Sequence, residues 1–147
     1  MRPFARLALP LAFALVAVPA FADDQSATTY QNLLTPVLSG NQTIIDQTIA
    51  YPAGTPNVTA AVVTIPVGGH TGWHTHAVPL FAYVMEGKLS VDYGTKGVKV
   101  LEPGTGILEA MDWPHNATNI GDVPVRILAV YMGAGDLPNA TPVAASE

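Results

Sequence analysis

What most constrains this chain is how often it is punctuated. From Gln42 onward, turn signals recur at Pro52-Ala53-Gly54-Thr55-Pro56, Gly68-Gly69, Glu86-Gly87, Tyr93-Gly94, Pro103-Gly104 and Gly121-Asp122. Glycine and proline are unfavourable in helix interiors, and the stretches between them are short. They suit strands joined by tight turns. The spacing predicts strands near 43–50, 58–65, 80–86, 88–93, 97–101, 106–109, 115–119 and 125–131. Short strands at such close, regular intervals make a sandwich or barrel. Arg126-Ile127-Leu128-Ala129-Val130-Tyr131 is nearly all apolar, as a central strand would be.

The first 22 residues obey a different logic. Arg2 and Arg6 precede an apolar run from Leu7 to Val18, and Ala20-Phe21-Ala22 has small residues where a leader would be cut. The run is short and broken by Pro10, which fits a removed secretory signal better than a membrane anchor. Cleavage after Ala22 and a periplasmic or secreted protein are therefore expected, with no membrane contact after cleavage. Residues 23–41 read as an N-terminal arm. Tyr30, Leu33, Leu34, Val37 and Leu38 recur at helical spacing, and Pro36 limits any helix to about two turns. That arm is expected to pack over the core. Residues 42–134 form the β domain, and 135–147 a flexible tail.

Composition narrows the function. Six basic residues stand against eleven acidic ones, and Arg2 and Arg6 leave with the leader. An acidic surface of this kind excludes a general nucleic-acid binder. The chain has no cysteine. Disulfides, iron–sulfur clusters, thiolate zinc sites and cysteine nucleophiles are excluded with it, and an oxidising compartment is congenial.

All four histidines lie between positions 70 and 115. In a strand, residues i and i+2 share a face, so His74 and His76 can aim two imidazoles at one point. A neighbouring strand can offer His115 as a third. Imidazole suits zinc, copper, iron and nickel. His70 is a possible extra ligand, and otherwise an exposed loop histidine. Glu109, at the end of a strand, is a candidate general base if it points inward, and otherwise a rim carboxylate. Trp73, Leu80 and Tyr83 are candidate pocket residues. Phe81 and Tyr83 read equally as ordinary core.

Gly68, His74, His76, Gly87, Gly104, His115 and Asn119 resemble the two sequence motifs of the cupin superfamily, in order and spacing, over roughly residues 58–131. The resemblance implies an all-β fold, a small antiparallel β-barrel or jelly roll with a short N-terminal arm. It implies His74, His76 and His115 as ligands of one divalent transition metal: iron, zinc, manganese, nickel or copper. It also implies a homodimer paired through edge strands. Two departures stand out. The family's metal-binding glutamate falls at Leu80, and the second motif's proline and glycine are Ala110 and Asp112. Three neutral imidazoles leave a divalent ion its full charge and open positions. Some cupin dioxygenases use three histidines around iron. The expectation is a periplasmic metal-binding cupin. If it is an enzyme, the resemblance favours a dioxygenase-type oxidoreductase on a small organic substrate. The alternative is a non-catalytic cupin that binds a small ligand.

Overall fold

The computed structural model describes residues 30–145, so the leader and its cleavage site lie outside the described residues. The chain divides into a short unit ending at Leu34 and a larger one beginning at Thr35. Of the first, the described part is a single 3-10 turn, Tyr30–Leu33. The second is a two-sheet jelly roll of antiparallel strands.

Among the described residues nine strands follow one another: β1 (Pro56–Ile65), β2 (His74–Thr75), β3 (Leu80–Glu86), β4 (Leu89–Asp92), β5 (Val98–Leu101), β6 (Gly106–Leu108), β7 (Asn116–Asn119), β8 (Val125–Ala134) and β9 (Thr141–Pro142). One sheet has the order β1-β8-β3-β6 and the other β5-β4-β7; β2 and β9 pair alone. Backbone hydrogen bonds do not close these sheets into one continuous barrel. Side-chain alternation explains the layering. On β3, Leu80 and Val84 are buried, while Met85 between Val84 and Glu86 reaches solvent. On β4, Leu89 and Val91 are buried. Val84, Leu89 and Val91 meet Ile65, Leu101, Ile107, Ala117 and Val125 in the core between the sheets. Each fully buried aliphatic side chain contributes about 1.5–3 kcal/mol.

The turn after β3 is tightly built. Gly87 has φ +78°, and a Cβ there would lie 2.8 Å from Val125 Cα. Only glycine fits both the conformation and the space.

Several expectations need correction. No strand forms at 43–50. Gln42 and Thr48 meet in an isolated bridge, Thr43 N–H donates to Gln47 O at 2.8 Å, and Asp46 turns the chain at φ +64°. Adjacent Ile44 and Ile45 cannot both face inward from one strand. In this loop Ile45 is buried, and Ile44 N–H donates to Leu108 O at 2.8 Å. Among the described residues of the arm, the expected two-turn helix is a single 3-10 turn. Val37 and Leu38 stay exposed rather than covering the core. The segment read as a flexible tail contains β9, which pairs with β2 through His74↔Pro142 and Thr75↔Thr141.

Candidate metal centre

The three motif histidines converge because a short ladder places them. His74 and His115 lie directly opposite each other, exchanging backbone hydrogen bonds of 3.0 Å in both directions. His76 follows two residues after His74, on the same face. The ring centroids are 4.4 Å apart for His74–His115, 4.9 Å for His74–His76 and 5.0 Å for His76–His115. One potential ligand atom from each lies within 4.8 Å of the other two. His76 and His115 are each 2% exposed, and His74 is half-buried.

Their hydrogen bonds fix which nitrogen is free. His74 Nδ1 contacts Gly72 O at 2.9 Å, His76 Nδ1 contacts Asn139 O at 2.6 Å, and His115 Nδ1 contacts Trp113 O at 2.9 Å. A carbonyl can only accept, so each Nδ1 is the donor. Each neutral ring therefore carries its lone pair on Nε2. Imidazole ligands with the other nitrogen held by a backbone carbonyl are the usual arrangement around a metal. Gly72, at φ +78°, makes the turn that presents its carbonyl to His74. Burial lowers the pKa of His74 and takes that of His76 down to about 4, in both cases against the Nδ1 bond, which acts to raise it. Both shifts favour the neutral ring that ligation requires.

The other predicted residues separate. His70 is exposed, outside the cluster, and its Nδ1 accepts Gly72 N–H at 3.1 Å, so it does not supply the extra ligand. Glu109 does point inward and is 7% exposed. It also lies outside the three-histidine group. Its Oε1 accepts from Tyr93 OH and from Ala110 N–H, both at 2.7 Å. Tyr93 is fully buried, and burial, reinforced by the Glu109 charge, drives its hydroxyl's pKa upward. Tyr93 is therefore a neutral donor that holds the carboxylate.

Beside His115 and Glu109 lies a cavity of about 70 Å³. Leu80 lines it, in the position of the family's glutamate. Trp73 and Tyr83 do not. Strand parity explains Tyr83: Leu80, Ala82 and Val84 face the cavity, so Phe81 and Tyr83 face the other way. Trp73 instead gives its carbonyl to Val143 N–H at 3.0 Å, in the ladder beside β9.

Two features were not read from the sequence. Tyr131 lines the cavity with its ring 5.6 Å from that of His76. Its parity with Ile127 and Ala129 on β8 was the available signal. Asn139 contributes only a backbone carbonyl, which leaves no trace in residue type. The motif's Asn119 is structural. Its Nδ2 donates to Ile65 O at 3.0 Å and Val123 O at 2.9 Å, and its Oδ1 accepts Gly121 N–H at 2.9 Å.

A family model for the cupin domain matches residues 61–131, which include both halves of the histidine constellation. The domain at residues 61–131 belongs to the cupin superfamily. Among solved structures, this cupin is similar to a DMSP lyase, with 23% identity and TM-score 0.52, covering 59% of this chain and 44% of that one. It is similar to the oxalate decarboxylase of Lactobacillus farciminis, with 24% identity and TM-score 0.50, covering 62% and 27%. An oxalate oxidase matches at 21% identity and TM-score 0.50, covering 58% and 46%. The matched region spans less than half of each of those chains. At these identities the likeness establishes the fold. A search of curated proteins finds no match. Within this cupin, His74, His76 and His115 form a group that could hold a metal ion.

Proposed function

We propose that this chain is a secreted, periplasmic cupin that binds one divalent transition metal and acts as a dioxygenase-type oxidoreductase on a small organic substrate. The observation that carries the reading is the donor set: three imidazoles, each with Nδ1 tied to a backbone carbonyl and Nε2 left to ligate. That set fits a metal such as iron, zinc, nickel or copper. When bound, such an ion supplies a Lewis-acidic centre, redox-active if it is iron or copper, with positions left open because Leu80 contributes no ligand. The chain's own residues do the rest. His74, His76 and His115 hold the ion. The aliphatic cavity excludes water, and Glu109, restrained by Tyr93, offers a fixed proton acceptor. Export is supported by the leader-like residues 1–22.

A non-catalytic ligand-binding cupin is the second reading. Leu80 favours it, because it makes one wall of the site apolar where the family places a carboxylate. Pairing of two copies is a further part of the proposal. Strand β1 is an edge strand of ten residues without a charge, with Val58 and Val62 exposed. Such an edge is satisfied by a partner strand, and sedimentation of the purified protein reads the outcome.

The deciding experiment is elemental analysis of untagged protein beside His115→Ala and His70→Ala. Near-stoichiometric metal, lost in His115→Ala and kept in His70→Ala, supports the metal centre. No metal in the unaltered protein, or equal loss in both variants, refutes it. Iron would then justify an oxygen-consumption screen, whereas zinc would turn the search to hydrolysis and lyase chemistry.

A further inference from the structure

We infer that the cavity beside the histidines selects a small, uncharged organic molecule bearing a hydroxyl donor, and rejects small dianions. This rests on the proposed metal centre as the place where the ligand's other oxygen is engaged. It goes further by naming what the cavity admits.

Size sets the first limit. A cavity of about 70 Å³ holds roughly five water-sized positions at about 10–15 Å³ each. That is room for a molecule of only a few heavy atoms. The wall sets the second. Val63, Leu80, Val84, Val91, Ile107 and Ile127 present hydrocarbon, which favours methyl and methylene groups.

Charge sets the third. No lysine or arginine lines the cavity. The four cations of the described residues lie elsewhere. Lys88 pairs with Glu102 at 2.7 Å on the surface, and Lys96 sits 5.5 Å over the Trp113 ring. Lys99 and Arg126 are exposed. The one acidic residue in the lining is Glu109. Tyr93 and Ala110 occupy its Oε1, and among the described residues Oε2 has no hydrogen-bond partner. A buried carboxylate oxygen without a partner needs a donor. A hydroxyl supplies one. A bound divalent ion would offset charge only at the end of the ligand that reaches it; a carboxylate at the Glu109 end supplies only acceptors and a second negative charge, with no side-chain cation to offset it. Tyr131, also in the lining, has no hydrogen-bond partner for its hydroxyl among the described residues. It is placed to donate to a ligand's carbonyl or hydroxyl oxygen.

Acetoin and oxalate test this, being of equal heavy-atom count and opposite character. Acetoin is a neutral hydroxyketone with two methyl groups, and oxalate is a dianion. Each is titrated calorimetrically into metal-loaded and EDTA-treated protein. Metal content is assayed before and after, so that extraction by oxalate is not read as binding. The expected result is acetoin binding at least about tenfold tighter than oxalate. Glu109→Gln keeps an acceptor for Tyr93 and Ala110 and replaces only the free oxygen with a donor. It should shrink or reverse that preference by about tenfold. Tyr131→Phe should weaken acetoin severalfold and leave oxalate unchanged, which serves as the second variant if Glu109→Gln does not fold. Oxalate binding as tightly as acetoin, no acetoin binding at all, or a preference unmoved in every folded variant would overturn the inference. The metal assay judges the metal centre separately. Protein that holds metal yet prefers oxalate refutes the cavity reading alone. Protein that takes no metal refutes the metal centre, while the EDTA-treated arm still decides the preference.

Discussion

Protonation of His76 offers a quantitative test of the buried centre. The perturbation is acid, applied to metal-free protein. The ring is 2% exposed, and burial is the largest influence on it, holding its pKa at about 4. The Asn139 bond opposes that shift, and the neighbouring His115 and His74 add to it. In the unfolded chain the same ring titrates near 6.5. Below that pH the unfolded state takes up a proton that the folded state refuses. Stability must then fall as pH drops from 6.5, levelling off only beneath the folded value near 4. At 1.36 kcal/mol per unit, the loss from this ring is about 2 kcal/mol at pH 5 and about 3 kcal/mol at pH 4. Urea denaturation of EDTA-treated protein across this range measures it, with His76→Gln as the reference that cannot titrate. The unaltered protein should lose about 2 kcal/mol relative to the variant between pH 7 and pH 5. Parallel pH dependences for the two proteins would refute the buried, neutral His76 on which the donor set depends.

Other consequences can be checked more briefly. Asn119→Ala removes one buried and two partly buried hydrogen bonds and strands the carbonyls of Ile65 and Val123; a loss of about 2–4 kcal/mol in chemical denaturation is expected. Gly87→Ala meets both a left-handed backbone and the Val125 backbone, so its melting temperature should drop well below that of a Gly97→Ala control, where a Cβ meets open space. Leu80→Glu puts a carboxylate where the family carries one. Competition against a chelator should show tighter metal retention, and unchanged retention would mean that the position 80 side chain does not reach the ion.

Strands such as β4 and β7 were legible because every other side chain is buried. Alternation and turn residues then agree. The misread ends share a cause. Pro56-Asn57 and Gly133-Ala134 look like turns, yet they pair with each other at the end of β1 and β8. Ile44-Ile45 looked like strand because both are apolar, but side-by-side apolar residues fit a loop with one turned inward. The histidines were legible because ligation needs particular side chains at particular intervals. The pocket was half legible. Leu80 and Tyr83 are three apart and cannot share a strand face, so parity alone excluded one of them. Asn139 was not legible at all, because a carbonyl is common to every residue.

That carbonyl has a consequence for how the protein is made. A ribosome delivers His74, His76 and His115 long before Asn139, and the bond to His76 spans 63 positions. A nascent or truncated chain can therefore carry all three imidazoles and still lack the contact that orients one of them. The centre is completed only after the region that identifies the family has already emerged. A partial chain with the same three histidines but without Asn139 would meet metal with one ring free to turn.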